Sequence, residues 1–118
     1  MAADGILGLA PSAQKTQASL FIEELFNAGL IEKKMFSLYL APIGGQSRVT
    51  LGGYNSSYVG SNYRNQSIAW NDLVNTNYWS LSLVSASIGD RQLMLSTDLA
   101  IVDSGTSYIL IPNGKTME

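Results

Sequence analysis

The chain has 118 residues, 46% hydrophobic and 14% charged, with a formal net charge of −2. That balance excludes a disordered tail, and no basic run offers a footprint for a nucleic-acid backbone. Histidine and cysteine are both absent, which removes Ser-His-Asp and Cys-His catalysis and Cys/His zinc sites from what these residues can do.

Acid–base chemistry therefore falls to carboxylates, Lys, Tyr or water. No apolar run approaches the ~20 residues of a membrane span. No signal peptide is visible, because Met1-Ala2-Ala3 meets Asp4 at once. In chain order, DGILGLAP (Asp4–Pro11) is a short apolar segment bounded by Gly and Pro, and it reads as a buried strand or turn. SAQKT is a polar loop. Ala18, Phe21, Ile22, Leu25 and Phe26 then fall on one face at helical spacing, with Thr16 as N-cap and Gly29 as the residue after the C-cap. MFSLYLAP alternates, with Phe36, Leu38 and Leu40 on one face and Ser37 and Tyr39 on the other. IGGQS is a turn, and RVTLGG returns to complete a hairpin.

From Tyr54 to Gln66 the composition changes to Asn, Ser, Tyr and Gly, which marks a surface loop and a boundary. It holds N-x-S triplets at Asn55 and Asn65, acceptors for glycosylation in a secreted protein. Trp79, Leu81 and Leu83 alternate with serines, and Trp79 reads as core. Ile88-Gly89-Asp90-Arg91 is a turn, Leu93-Met94-Leu95 continues, and Ala100-Ile101-Val102 runs into Asp103. The class is mostly β with one amphipathic helix.

AIVDSGTS raises the chemical question. A carboxylate at the end of an apolar strand is costly to bury unless donors satisfy it. Ser104, Gly105 and Thr106 can supply them: two hydroxyls, and a glycine that lets backbone N–H groups turn inward. On local pattern alone, Asp103 reads as a residue that stabilises its own turn.

The ordered series of motifs says more. DSGTS after an apolar strand resembles the active-site loop of the pepsin-like aspartic proteases. DGILGL resembles the segment closing that family's first lobe. MFSLYL followed by TLGGYNSSYVGS resembles the strands and loop between lobes, and YWSLSL followed by AIVDSGTS the early strands of the second. The resemblance covers nearly the whole chain. It implies an incomplete bilobal acid-protease fold. Residues 1–45 would be the C-terminal part of the first lobe, with a helix at about 17–29. Residues 46–65 would be the inter-lobe strand and loop, and 66–118 the N-terminal part of the second lobe.

The resemblance also implies a chemistry. Two Asp residues, one per lobe, would hold a water and share a proton, one acting as base and the other polarising the scissile carbonyl. Asp103 matches the second-lobe catalytic residue. Ser104 matches the hydroxyl that braces the loop, where Thr is commoner. Gly105 and Thr106 match positions supporting the carboxylate and contacting substrate, and Ser107 lies beside substrate. Tyr78 and Ile101 match prime-side pocket positions, and on their own pattern they read equally as core. No metal or cofactor is implied. The partner is a peptide or protein, with no nucleic acid, and the parent would be a monomeric two-lobed endopeptidase in a secreted, lysosomal or vacuolar route.

Asp4, Asp72, Asp90 and Asp98 stand outside any D-[ST]-G triplet, so the second carboxylate is missing from these residues. A half-sized protease that dimerises would place D-[ST]-G early, and here that order is reversed. The expectation is a middle fragment, inactive by itself. The alternative is a non-catalytic pepsin-like binding or inhibitor protein.

Overall fold

The computed structural model describes residues 4–11, 19–59 and 68–112. Thr16, Ala18, Asn65 and the first residues of the expected helix lie outside them. The chain divides into two compact units, Met1–Leu9 with Lys15–Trp70 and Ala10–Gln14 with Asn71–Glu118.

In the first unit, the residues after Asp4 form no strand, and Ile6 and Leu7 are exposed rather than buried. Neither residue belongs to a strand ladder among the described residues. Helix α1 spans Phe21–Asn27. Leu20 occupies its N-cap position without a side-chain hydrogen bond, while Glu23 and Glu24 set negative charge in the first turn, where the helix dipole favours it.

The helix end follows the expectation for Gly29. Ala28 is the C-cap, and Gly29 turns to φ 69°, a conformation that costs glycine little. Gly29 N–H donates to the Phe26 carbonyl at 3.0 Å and Leu30 N–H to the Leu25 carbonyl at 2.9 Å. These are the two bonds of a Schellman motif, and they occupy carbonyls that the helix leaves open.

Strands β1 (Phe36–Tyr39) and β2 (Arg48–Leu51) form the expected antiparallel hairpin, with Phe36 opposite Leu51 and Tyr39 opposite Arg48. Gly45 N–H donates to the Pro42 carbonyl at 2.8 Å within the connection, and Ala41 N–H to Ser47 Oγ at 3.1 Å. The alternation holds but the burial does not follow it: Leu38 is exposed, and Tyr39 is half-buried. Tyr39 stacks on Tyr58 with ring centroids 4.3 Å apart. Tyr58 belongs to a single 3₁₀ turn, Ser56–Tyr58, that follows β2.

In the second unit, β3 (Ser80–Ser82) pairs antiparallel with β6 (Leu99–Ile101), and β4 (Ser87–Ile88) with β5 (Arg91–Gln92). Gly89, at φ 58°, makes the tight reversal between β4 and β5 that the sequence marks. Beyond Gln92, Leu93 N–H donates to the Ala86 carbonyl at 2.8 Å, carrying the pairing one residue past the strands, and Met94 and Leu95 are in no strand. Trp79, expected in the core, is more than a third exposed. The reason is common to both units. Among the described residues each sheet has only two strands, and stable burial needs two packed layers. Among the described residues no apolar side chain is fully buried; Ser80 is, at 2% exposure.

Candidate active site

The β3–β6 pair positions the candidate site. Ser80 lies opposite Ile101, and Val102 N–H donates to the Trp79 carbonyl at 3.0 Å, carrying the pairing one residue beyond the strands. At that end β6 delivers Asp103, and the chain before β3 delivers Tyr78. Ser80 anchors the arrangement from the β3 side. Its carbonyl accepts from Val74 N–H at 3.0 Å, and its hydroxyl approaches Asn75 Oδ1 at 3.5 Å. Asn75 Oδ1 also accepts from Asn77 N–H at 3.1 Å, a local turn closed by the side chain. Alternation places Ser80 on the strand but gives no sign of this role, while the Asn-Thr-Asn run that holds Asn75 is a turn signal before the strand.

Asp103 closes its own loop. Oδ1 accepts from Gly105 N–H at 2.8 Å, and Oδ2 accepts from the Thr106 hydroxyl at 2.5 Å. Both carboxylate oxygens are thus engaged by residues two and three positions on. The glycine matters here through space rather than through φ: a Cβ at position 105 would stand 3.1 Å from Asp103 Oδ1. Of the three donors expected, Gly105 and Thr106 serve, and Ser104 does not. Ser104 and Ser107 are exposed in the same loop; Tyr78, before β3, and Ile101, at the end of β6, are exposed too.

The expected burial of Asp103 is not found; the carboxylate is exposed, as are Ile101 and Val102 before it. Hydrogen bonding then dominates its electrostatics. The Thr106 hydroxyl first, and the Gly105 N–H second, hold its pKa below the ordinary 3.8, against a smaller opposing effect of desolvation. An ionised, oriented carboxylate at the head of a loop can accept a proton from water or hold a water by hydrogen bonds. Among the described residues no group of three or more carboxylates gathers to hold a metal ion.

A family model described as eukaryotic aspartyl protease matches residues 1–118. The chain belongs to the eukaryotic aspartyl protease family. Curated relatives agree. Pepsin II-1 of Oryctolagus cuniculus is 34% identical over 112 residues, covering 92% of this chain and 28% of the relative. Cathepsin E of Cavia porcellus is 34% identical over 116 residues, covering 95% and 28%. Pepsin-2B of Gadus morhua is 38% identical over 112 residues, covering 92% and 33%. The chain thus spans no more than a third of the length of these aspartyl protease relatives. The mostly β architecture with one helix is part of the pepsin-like fold. No helix among the described residues is long and apolar enough to cross a membrane.

Proposed function

We propose that these residues form part of an aspartic endopeptidase and that Asp103 is one of its two catalytic carboxylates. The observation that carries the reading is the Asp103 loop. Its carboxylate is held on both oxygens by Gly105 and Thr106, at the end of an antiparallel strand pair, in a member of the aspartyl protease family. Residues 1–45 belong in this reading to the first lobe, 46–65 to the connection and 66–118 to the second lobe.

A second carboxylate, from outside these 118 residues, shares a proton with Asp103. Two carboxylates in contact cannot both ionise, so one remains an acid while the other acts as a base. The base takes a proton from a water held between them as that water attacks the scissile carbonyl. The acid donates a hydrogen bond to the developing oxyanion. Thr106 and Gly105 fix the Asp103 carboxylate in place, so that little reorganisation accompanies the attack. Ser104 braces the loop. Gly105, Thr106, Ser107, Tyr78 and Ile101 line the path of an extended peptide. The working protein is a two-lobed monomer in a secretory or lysosomal route, acting without a cofactor.

The decisive test compares two forms. In the complete polypeptide, Asp103→Asn lowers turnover of a peptide substrate at acidic pH by about 10²–10⁴-fold, the contribution of a positioned acid–base group. The 118-residue chain alone gives no pepstatin-sensitive turnover, because it has one D-S-G triplet. Full activity in Asp103→Asn refutes the catalytic assignment. A complete polypeptide that binds pepstatin or peptides without cleaving them identifies a non-catalytic relative instead.

A further inference from the structure

The loop after β2 carries a feature that proteolysis does not use. Asn55-Ser56-Ser57 satisfies the N-x-S pattern, with an intervening residue other than proline. Asn55 is exposed. Its Oδ1 accepts from Ser57 N–H at 2.9 Å and from the Ser57 hydroxyl at 2.8 Å. Its Nδ2 makes no hydrogen bond among the described residues. The turn is anchored rather than loose, because Tyr58, its last residue, stacks on Tyr39 of β1.

We propose that Asn55 is a site of N-linked glycosylation, displayed on this anchored turn; the proposal rests on the secretory route given above. The donor is a lipid-linked oligosaccharyl pyrophosphate. Asn55 Nδ2 attacks the anomeric carbon, a C–N bond forms, and the C–O bond to phosphate breaks. The lipid pyrophosphate leaves with the electron pair, and the amide proton passes to the transferase's base.

The geometry explains why the folded turn tolerates the product. The sugar joins Nδ2, while the cap on the 3₁₀ turn is made by Oδ1. Both Oδ1 hydrogen bonds survive modification, so the glycan on this exposed residue removes neither of them. An Asp at position 55 would keep the same cap and lose only the acceptor nitrogen. Ser57 has two separable parts: its N–H serves the cap, and its hydroxyl completes the pattern that transfer requires.

Trypsin separates this site from the other N-x-S triplet. Cleavage after Arg48, Arg64 and Arg91 places Asn55 on the peptide Val49–Arg64 and Asn65 on the peptide Asn65–Arg91. The experiment isolates the protein from its source cells and releases N-glycans enzymatically in heavy-oxygen water. Released sites, converted to labelled aspartate, are then located by peptide mass spectrometry. The same polypeptide is directed into the secretory route of a eukaryotic host in parallel. The expected result is label at Asn55 in both preparations, abolished by Ser57→Ala and Asn55→Asp and kept by Ser57→Thr. Label confined to Asn65–Arg91, or none in either preparation, overturns the proposal at the site itself. Label at Asn55 in the host but not in the native protein overturns it as well, and places the fault in the route.

Discussion

The Thr106 hydroxyl is the main cause of the low Asp103 pKa, with Gly105 N–H second. Thr106→Val removes the larger cause, so the Asp103 carboxyl midpoint, followed by carbon NMR, should rise toward 3.8. Thr106→Ser should leave it low. An unchanged midpoint in Thr106→Val would place the cause elsewhere. Gly105→Ala should act in the same direction by another route. Its Cβ, 3.1 Å from Oδ1, crowds the carboxylate and should push Oδ1 off the Gly105 N–H. The sign for stability follows from linkage. The folded pKa lies below the unfolded one, so the unfolded chain binds more protons between the two. The loop's contribution is complete above 3.8 and lost as pH falls through the folded value. These two donors keep Asp103 ionised further into the acid range than an unassisted carboxylate.

At the scale of elements, two glycines in left-handed conformation separate strain from crowding. Gly29 has φ 69° and nothing within 4 Å of an added Cβ, while Gly52 has φ 78° and would meet Ile31 Cβ at 2.8 Å. Gly29→Ala should cost about 1 kcal/mol, the backbone penalty alone. Gly52→Ala should cost more, because Ile31 must also move. It also strains the N–H that donates to the Met35 carbonyl at 2.7 Å, beside the start of β1. Amide exchange in the β1–β2 ladder reads the difference: Gly52→Ala should lower protection there by well over the roughly fivefold that 1 kcal/mol represents. Equal effects of the two substitutions would show that Ile31 yields freely. These elements also show what the sequence made legible. The hairpin, the Gly29 helix end and the Gly89 reversal were readable because each depends on neighbours within a few residues. The donors to Asp103 were readable for the same reason, although Ser104 was counted among them. Burial of Ile6, Trp79 and Asp103 does not follow from the sequence because burial depends on a second layer of chain, and strand alternation says only which face would be covered.

At the scale of the whole molecule, that uncovered surface carries the last prediction. In the first unit Ile6, Leu30, Leu40 and Ile43 are largely exposed, and in the second Val84, Met94, Tyr108, Ile109 and Leu110 are. Among the described residues each sheet has two strands. Two-stranded sheets are marginal in water, and open edges beside apolar faces invite pairing with other chains. A domain of this size normally gains its stability by removing such side chains from water, at about 25 cal/mol per Å². Here the gain is small while the entropy cost of ordering the backbone is undiminished. The 118-residue chain, prepared by itself, should therefore bind a hydrophobic dye, unfold in urea without a sharp transition, and associate as its concentration rises in sedimentation. Chain corresponding to the rest of the aspartyl protease relatives' length, supplied in cis, should suppress all three by covering these faces and pairing the strand edges. A monomer with a steep urea transition and no dye binding would show that the two units stabilise themselves. The same comparison bears on activity. An Asp103 loop set on a strand pair that opens and closes cannot hold its carboxylate within the tolerance that water activation demands. In the proposed dyad the covering layer is therefore as necessary to turnover as the second carboxylate.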